Sequence, residues 1–237
     1  MSFKPGYGAR ILLGELSYSA KLNQVSLANP TEMHDVTTFG DSDPVTGLCP
    51  KRFIAGQDSA TSQISGFLDA DVLTDAAAFT TATPLTIGLE GLAHSAPVFL
   101  VDALRANMDT SAQTSGVVQF TLDAQADGFP GIGNSLHNLS AETIDGNGTS
   151  HDGTAASATG AVAHVHVTAF SGLTSVDFTI EDSANNSAFA VIGTFSQLTA
   201  IGAQRIAISG AIRRYVRIVT NVTGTGSVTF AAAYART

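Results

Sequence analysis

The sequence predicts a mainly β protein of two sandwich-like parts, and three observations carry that reading. Apolar and polar residues alternate in short runs, most cleanly at Val118, Phe120 and Leu122 and at Val176, Phe178 and Ile180. Beyond Ala161, Gly, Ser, Asn and Thr turns recur about every 8 to 14 residues, the cue for a β-sandwich. The composition is 44% hydrophobic and 13% charged with no Trp, too apolar for disorder and suited to short strands and turns. At 237 residues the chain has room for one large β domain or two small ones.

In chain order, ARILLGELSYSAKL opens as an irregular strand that closes at the turn signal Asn29-Pro30. TEMHDVTTFGDSDPVTGLCPKRFIAGQ, from Thr31 to Gln57, is a long connection that fits neither a compact turn nor one regular strand. SATSQISGFLDA reads as a short strand. DADVLTDAAAFTTATP reads as a helix: Asp69 or Asp71 caps it, Val72, Ala76 and Phe79 fall at i, i+4 and i+7, and Pro84 lies beyond its end. PLTIGLEGL, APVFLVDALRA and GVVQFTLDA follow as strands.

DGFPGIGNSLHNLS reads as a boundary, and DGNGTSHDGTAASATGA as a low-complexity run behind it. The remainder supplies six strands: VAHVHVTAF, SVDFTIED, AFAVIGTFSQL, QRIAISG, RRYVRIVTNV and SVTFAAAYA. The expected division is a first β domain over 1–135 with its helix near 70–80, a Gly/Ser/Asn-rich linker over 136–160, and a second, Ig-like β-sandwich over 161–237.

Charge and cysteine content narrow the function. Net charge is −9, and residues 1–135 hold 6 Lys/Arg against 14 Asp/Glu (6 − 14 = −8), leaving −1 for the rest. Such an acidic field repels nucleic acid, which argues against tight DNA binding and allows a surface past which DNA slides. No run approaches the roughly 18 apolar residues of a membrane span, and the N-terminus lacks a signal-peptide core, so the expected compartment is cytoplasm-like. Cys49 is the single cysteine, so no intramolecular disulfide is expected.

Candidate chemistry is sparse. His164 and His166 project to one face of a strand as a metal site requires, but no further ligand is placed by the sequence, and a structural pair is the stronger reading. Asp145-Gly-Asn147-Gly-Thr149 resembles the start of a calcium loop, yet its twelfth position is Ala156, and a turn fits better. No G-x-S-x-G frames a nucleophile, Cys49 has no evident His partner, and GFPGIGN lacks the third glycine of a dinucleotide loop. Asp41/Asp43 and Asp69/Asp71 have local work as turn and cap residues. These absences imply no catalytic site, no cofactor and no bound metal. Arg213, Arg214 and Arg217 form the one basic cluster, and Arg214, on the apolar face, is expected to pair with a carboxylate or lie at an edge.

The ordered series is more informative than any one motif. DVTTFGDS, followed after a gap by KRFIAGQDSATSQISGF, resembles the major tail (tail tube) proteins of long-tailed bacteriophages over residues 1 to about 125. AHVHVTAFSGLTSVDFTIEDSANNSAF through QRIAISGAIRRYVRIV is similar to C-terminal regions of actinophage-type major tail proteins.

The resemblance implies a tail-tube-type β-sandwich or half-barrel with one flanking helix, whose subunits form stacked, usually six-fold rings in the virion tail, assembled in the host cytoplasm. It also implies that the early loop reaches ring neighbours, through Asp35, Phe39, Asp41, Asp43, Lys51, Arg52 and Phe53. Its partners would be other copies of itself together with tail terminator, tape-measure and baseplate or tip proteins. DNA would pass through without specific binding, and no membrane would be involved. Asp102, Asp109 and Asp123 are the candidate acidic residues facing the bore. The alternatives are a trimeric ring with pseudo-six-fold symmetry, or a surface- or carbohydrate-binding decoration protein using Phe170, Phe189, Phe195, Tyr215 or Tyr234.

Overall fold

The computed structural model describes residues 8–18, 22–28, 31–38, 51–58, 60–67, 81–112, 116–128 and 130–237. Among these, the regular structure is β throughout. In the first part lie β1 (Arg10–Leu13), β2 (Leu16–Ser17), β3 (Leu22–Ala28), β4 (Thr31–Asp35), β5 (Phe53–Asp58), β6 (Thr61–Phe67), β7 (Thr83–Gly88), β8 (Pro97–Ser111) and β9 (Gln119–Ala126). The second part holds β10 (Gly131–Glu142), β11 (Gly146–Asn147), β12 (His151–Asp152), β13 (Ala161–Ser183), β14 (Ala190–Thr194), β15 (Gly202–Ile208) and β16 (Tyr215–Arg236). No α-helix occurs among the described residues, and the helix expected near 70–80 lies outside them.

Fourteen strands form one antiparallel sheet, with the path β14-β13-β16-β10-β8-β7-β1-β2 and with β3, β6 and β9 branching from β8. β10 is the joint. Its residues Gly131–Asn134 pair with Pro97–Leu100 of β8, while Asn134–Glu142 pair with Val228–Tyr234 of β16. The segment expected to be a boundary and the start of a linker is thus a strand. Its glycines serve close approach: a Cβ at Gly133 would collide with the Tyr234 carbonyl and with Ala235. β11 and β12, also in the expected linker, pair with β16.

The six expected C-terminal strands are four. VAHVHVTAF and SVDFTIED belong to β13, and RRYVRIVTNV and SVTFAAAYA to β16, the two pairing along their lengths. The sequence shows turns there because the ribbon bends sharply. Register shifts cluster between Val167 and Ser175, where Gly172 (φ 72°) and Gly224 (φ 103°) take the left-handed conformation, so the ladder bends without ending.

That bend creates a core. Ala163, Val165 and Val167 from one half of the ribbon meet Val176, Phe178, Ile180, Val216 and Ile218 from the other, with Phe230 and Tyr234 between. A separate core lies under the first part, where Ile11, Leu13, Leu85, Ile87 and Val101 pack against Ile64, Phe120 and Leu122. Between these cores runs a seam, in which Leu12, Val98 and Leu100 meet Val162, Ala231, Ala233 and Ala235. Both faces of β13 are therefore covered, and Ala161–Val167 are buried without interruption. A strand covered on both faces reads as a continuous apolar run rather than an alternation.

Candidate functional site

β4 and β5 form a two-stranded ribbon outside the main sheet. Asp35 opposes Phe53 and His34 opposes Ile54. Directly opposed residues share a face, so Met33, Asp35 and Phe53 lie on one side and His34 and Ile54 on the other. Phe53 is 49% exposed, Ile54 55% and Met33 56%. Among the described residues nothing seals either face of the ribbon, although hydrophobic side chains stand on both.

The mouth of the connection is ordered by Asp35. Its Oδ1 accepts from the Thr37 N–H at 3.0 Å and from the Thr37 hydroxyl at 2.5 Å. Thr37 Oγ1 in turn accepts from Arg52 N–H at 2.9 Å, and Val36 N–H donates to the Arg52 carbonyl. Lys51 Nζ stands 3.5 Å from Asp35 Oδ2 in solvent. The Thr37 hydroxyl, then the Thr37 N–H, with Lys51 adding less, hold the Asp35 carboxyl below its usual range. Four residues expected in contacts, Asp35, Lys51, Arg52 and Phe53, are therefore brought together at the ribbon. Phe39, Asp41, Asp43 and Cys49 lie outside the described residues.

A second surface is the outer face of β3, β6, β9 and β8. Inward, Ile64, Phe120, Leu122 and Ala124 enter the first core. Outward, the register sets Gln63 against Asp123, Ser65 against Thr121 and Gln24, and Asp109 against Thr121. Gln63 Nε2 donates to Asp123 Oδ1 at 2.8 Å, Ser65 and Thr121 hydroxyls lie 3.2 Å apart, and Asn107 Nδ2 donates to Asp109 Oδ2 at 2.8 Å. The rows running from Thr61/Gln125 to Phe67/Gln119 contain no Lys or Arg. Asp109 and Asp123 thus share a face with amides, hydroxyls and the half-exposed Phe67.

Asp102 lies elsewhere. It faces the seam, with Arg205 Nε 3.2 Å from its Oδ2 and His164 Nε2 3.9 Å from its Oδ1. His164 and His166 are fully buried there, and Thr86 Oγ1 lies 3.2 Å from His164 Nδ1 and 2.8 Å from His166 Nε2. Burial, foremost, depresses both imidazoles, His166 to about 4 and His164 well below its usual range. The sequence marked this pair by two histidines in an apolar run, but Thr86, Asp102 and Arg205 come from other strands whose register no local pattern reveals. Among the described residues, no group of three or more His, Cys, Asp or Glu side chains is arranged to hold a metal.

The arginine cluster is consumed by carboxylates. Arg213 Nε donates to Asp182 Oδ1 at 2.7 Å, and Arg217 donates to Glu181 while lying 3.9 Å over the Phe189 ring. Arg214 makes the expected carboxylate pair, bidentate to Asp152 at 2.7 and 2.6 Å. The guanidinium hydrogen bonding comes first among the causes that, with the Thr154 N–H, hold Asp152 down at about 2. Phe195 and Tyr234 are buried, Phe170 packs against the core and Phe189 lies under Arg217, so these four form no exposed aromatic platform.

No family model matches the sequence, and no curated protein matches it. Among solved structures, the chain is similar to a protein of the native gene transfer agent virion, at 16% identity and TM-score 0.42 over 55% of this chain and 98% of that one. It is also similar to the SPP1 tail tube, at 10% identity and TM-score 0.38 over 52% of this chain and 76% of that one. A third likeness, over 95% of this chain and 98% of the other at 11% identity and TM-score 0.40, is to the SPP1 Dit protein, a hub adsorption protein of phages that infect Gram-positive hosts. Each stays below a TM-score of 0.5, and no residue's role follows from it.

Proposed function

We propose that this chain is a non-enzymatic structural subunit of a phage tail that polymerises as stacked rings into a tube through which DNA passes. The observation that carries this reading is the β4–β5 ribbon, which stands apart from the main sheet with Met33, Phe53 and Ile54 uncovered. A two-stranded ribbon with no sealed face is marginal by itself. Covering it with another copy buries those side chains. The series DVTTFGDS to KRFIAGQDSATSQISGF, on which the family resemblance rests, spans this same ribbon and its connection.

On this reading the arm contacts neighbours through Asp35, Lys51, Arg52 and Phe53, together with Phe39, Asp41 and Asp43. The outer face carrying Asp109 and Asp123 turns toward the bore, since its paired β6 and β9 rows offer phosphate no Lys or Arg to hold it. Residues 1–135 supply the tube unit and 161–237 an exterior sandwich, joined through β10. A head-to-tail stack of rings is a heterologous contact that does not close, so growth continues until other tail proteins stop it.

Negative-stain electron microscopy of concentrated protein tests this directly. Hollow tubes, or rings with a central hole, are the expected result. Compact monomers at every concentration would overturn it and favour a decoration protein.

A further inference from the structure

The seam holds a hydrogen-bond chain whose direction is fixed by one carbonyl. His166 Nδ1 lies 2.7 Å from the Gly14 carbonyl, which only accepts, so Nδ1 carries the proton. In the neutral ring Nε2 is then a bare acceptor, and at 2.8 Å it takes the Thr86 hydroxyl proton. With that proton committed, Thr86 Oγ1 accepts from His164 Nδ1–H at 3.2 Å. His164 Nε2 is consequently a bare acceptor too. It faces Asp102 Oδ1 at 3.9 Å, and both atoms are buried without a hydrogen-bond partner. Two facing acceptors lack one proton between them.

We propose that Asp102 and His164 form a one-proton clasp across the seam, filled on acidification and tying β8 to β13. On protonation the two side chains draw together from 3.9 Å to hydrogen-bond distance, and the proton bridges Asp102 Oδ1 and His164 Nε2, completing an unbroken chain from Gly14 to Arg205. No second ligand is needed, since the site lies inside the packed seam.

The charged and titratable groups that bear on the site are His166 on β13, Arg205 on β15, and Asp127 beyond β9, which acts on Asp102. β7 offers only the Thr86 hydroxyl, and β16 opposes both histidines with Ala233 and Ala231. Burial, more than Asp127, raises the Asp102 carboxyl against the opposing pull of Arg205. The signs of the two effects oppose each other. Asp102, raised when folded, stabilises the fold below its folded value and loses that contribution as pH rises through it. His166, depressed from 6.5 to about 4, contributes stability above 6.5 that is lost as pH falls toward 4. The clasp therefore offsets part of the acid destabilisation caused by the histidines.

Imidazole 15N and carboxyl 13C NMR between pH 8 and pH 4, on the dispersed or sedimented full chain, tests this. At pH 8 both rings are expected to carry their proton on Nδ1. On acidification His164 Nε2 and the Asp102 carboxyl should shift together in one step. Asp102→Asn supplies an N–H donor permanently and should abolish that step. Its unfolding constant should also climb about tenfold more per pH unit of acidification than that of the parent, the signature of one lost proton site. A proton on His164 Nε2 at pH 8, separate titration of the two groups, or equal acid slopes in the two proteins would each overturn the clasp.

Discussion

The β13–β16 ribbon and the β4–β5 ribbon are both antiparallel pairs, yet they end in opposite states. The first is bent onto itself around Phe178 and Phe230, and Arg213 and Arg214, just before β16, and Arg217 within it are each matched to a carboxylate. The second leaves Met33, Phe53 and Ile54 in solvent and holds its mouth with an ion pair exposed on both sides. Salt bridges so exposed contribute little. One ribbon is finished within the chain, while no described residue finishes the other, which on the proposed reading a second copy covers. The contrast is what the proposed assembly role rests on.

The largest effect should come from attacking the finished ribbon. Phe230→Ala removes a fully buried ring that packs on Phe178 and His137, and should cost about 3–5 kcal/mol in chemical denaturation. A loss below about 1 kcal/mol would mean that the bent ribbon is not a packed core. Arg213→Ala comes next. Asp182 is 1% exposed; the substitution keeps the backbone N–H of residue 213 on Oδ2 but strips the guanidinium from Oδ1, and should cost about 2–3 kcal/mol. Arg214→Ala, whose partner Asp152 is well exposed, should cost distinctly less, and equal losses for the two arginines would erase the distinction drawn here between buried and exposed pairs.

Smallest in stability, and largest in function, is the arm. Phe53→Ser with Ile54→Ser removes no buried side chain and should change monomer stability by no more than about 0.5 kcal/mol. The same double substitution should abolish polymerisation by light scattering. Full polymerisation of that variant would remove the arm from the account.

Much of this was legible in the sequence, for reasons that also explain the gaps. β9 and the later half of β13 face core on one side only, so Phe120/Leu122 and Val176/Phe178/Ile180 alternate visibly. Ala161–Val167 are covered on both sides, which erases the alternation and hides the seam. Gly172 and Gly224 read as strand ends because glycine marks both turns and bends, and only the ladder between β13 and β16 separates the two cases. Gly131 and Gly133 read as a linker for the same reason, although they let β10 approach β16 closely. Asp35, Lys51, Arg52 and Phe53 were singled out through their order in the chain, and the structure sets them together at the ribbon. The clasp was not, because its partners are contributed by β7, β8, β13 and β15 and meet only through tertiary register.

On the proposed reading, the β4–β5 ribbon is completed by another copy of the chain. Hydrogen exchange of the Thr31–Asp35 and Phe53–Asp58 amides, compared between dilute and concentrated protein, tests it most directly. Fast exchange when dilute and strong protection on assembly are expected, with the β13–β16 amides protected in both. Equal exchange of the ribbon in the two states, alongside visible assembly, would contradict it.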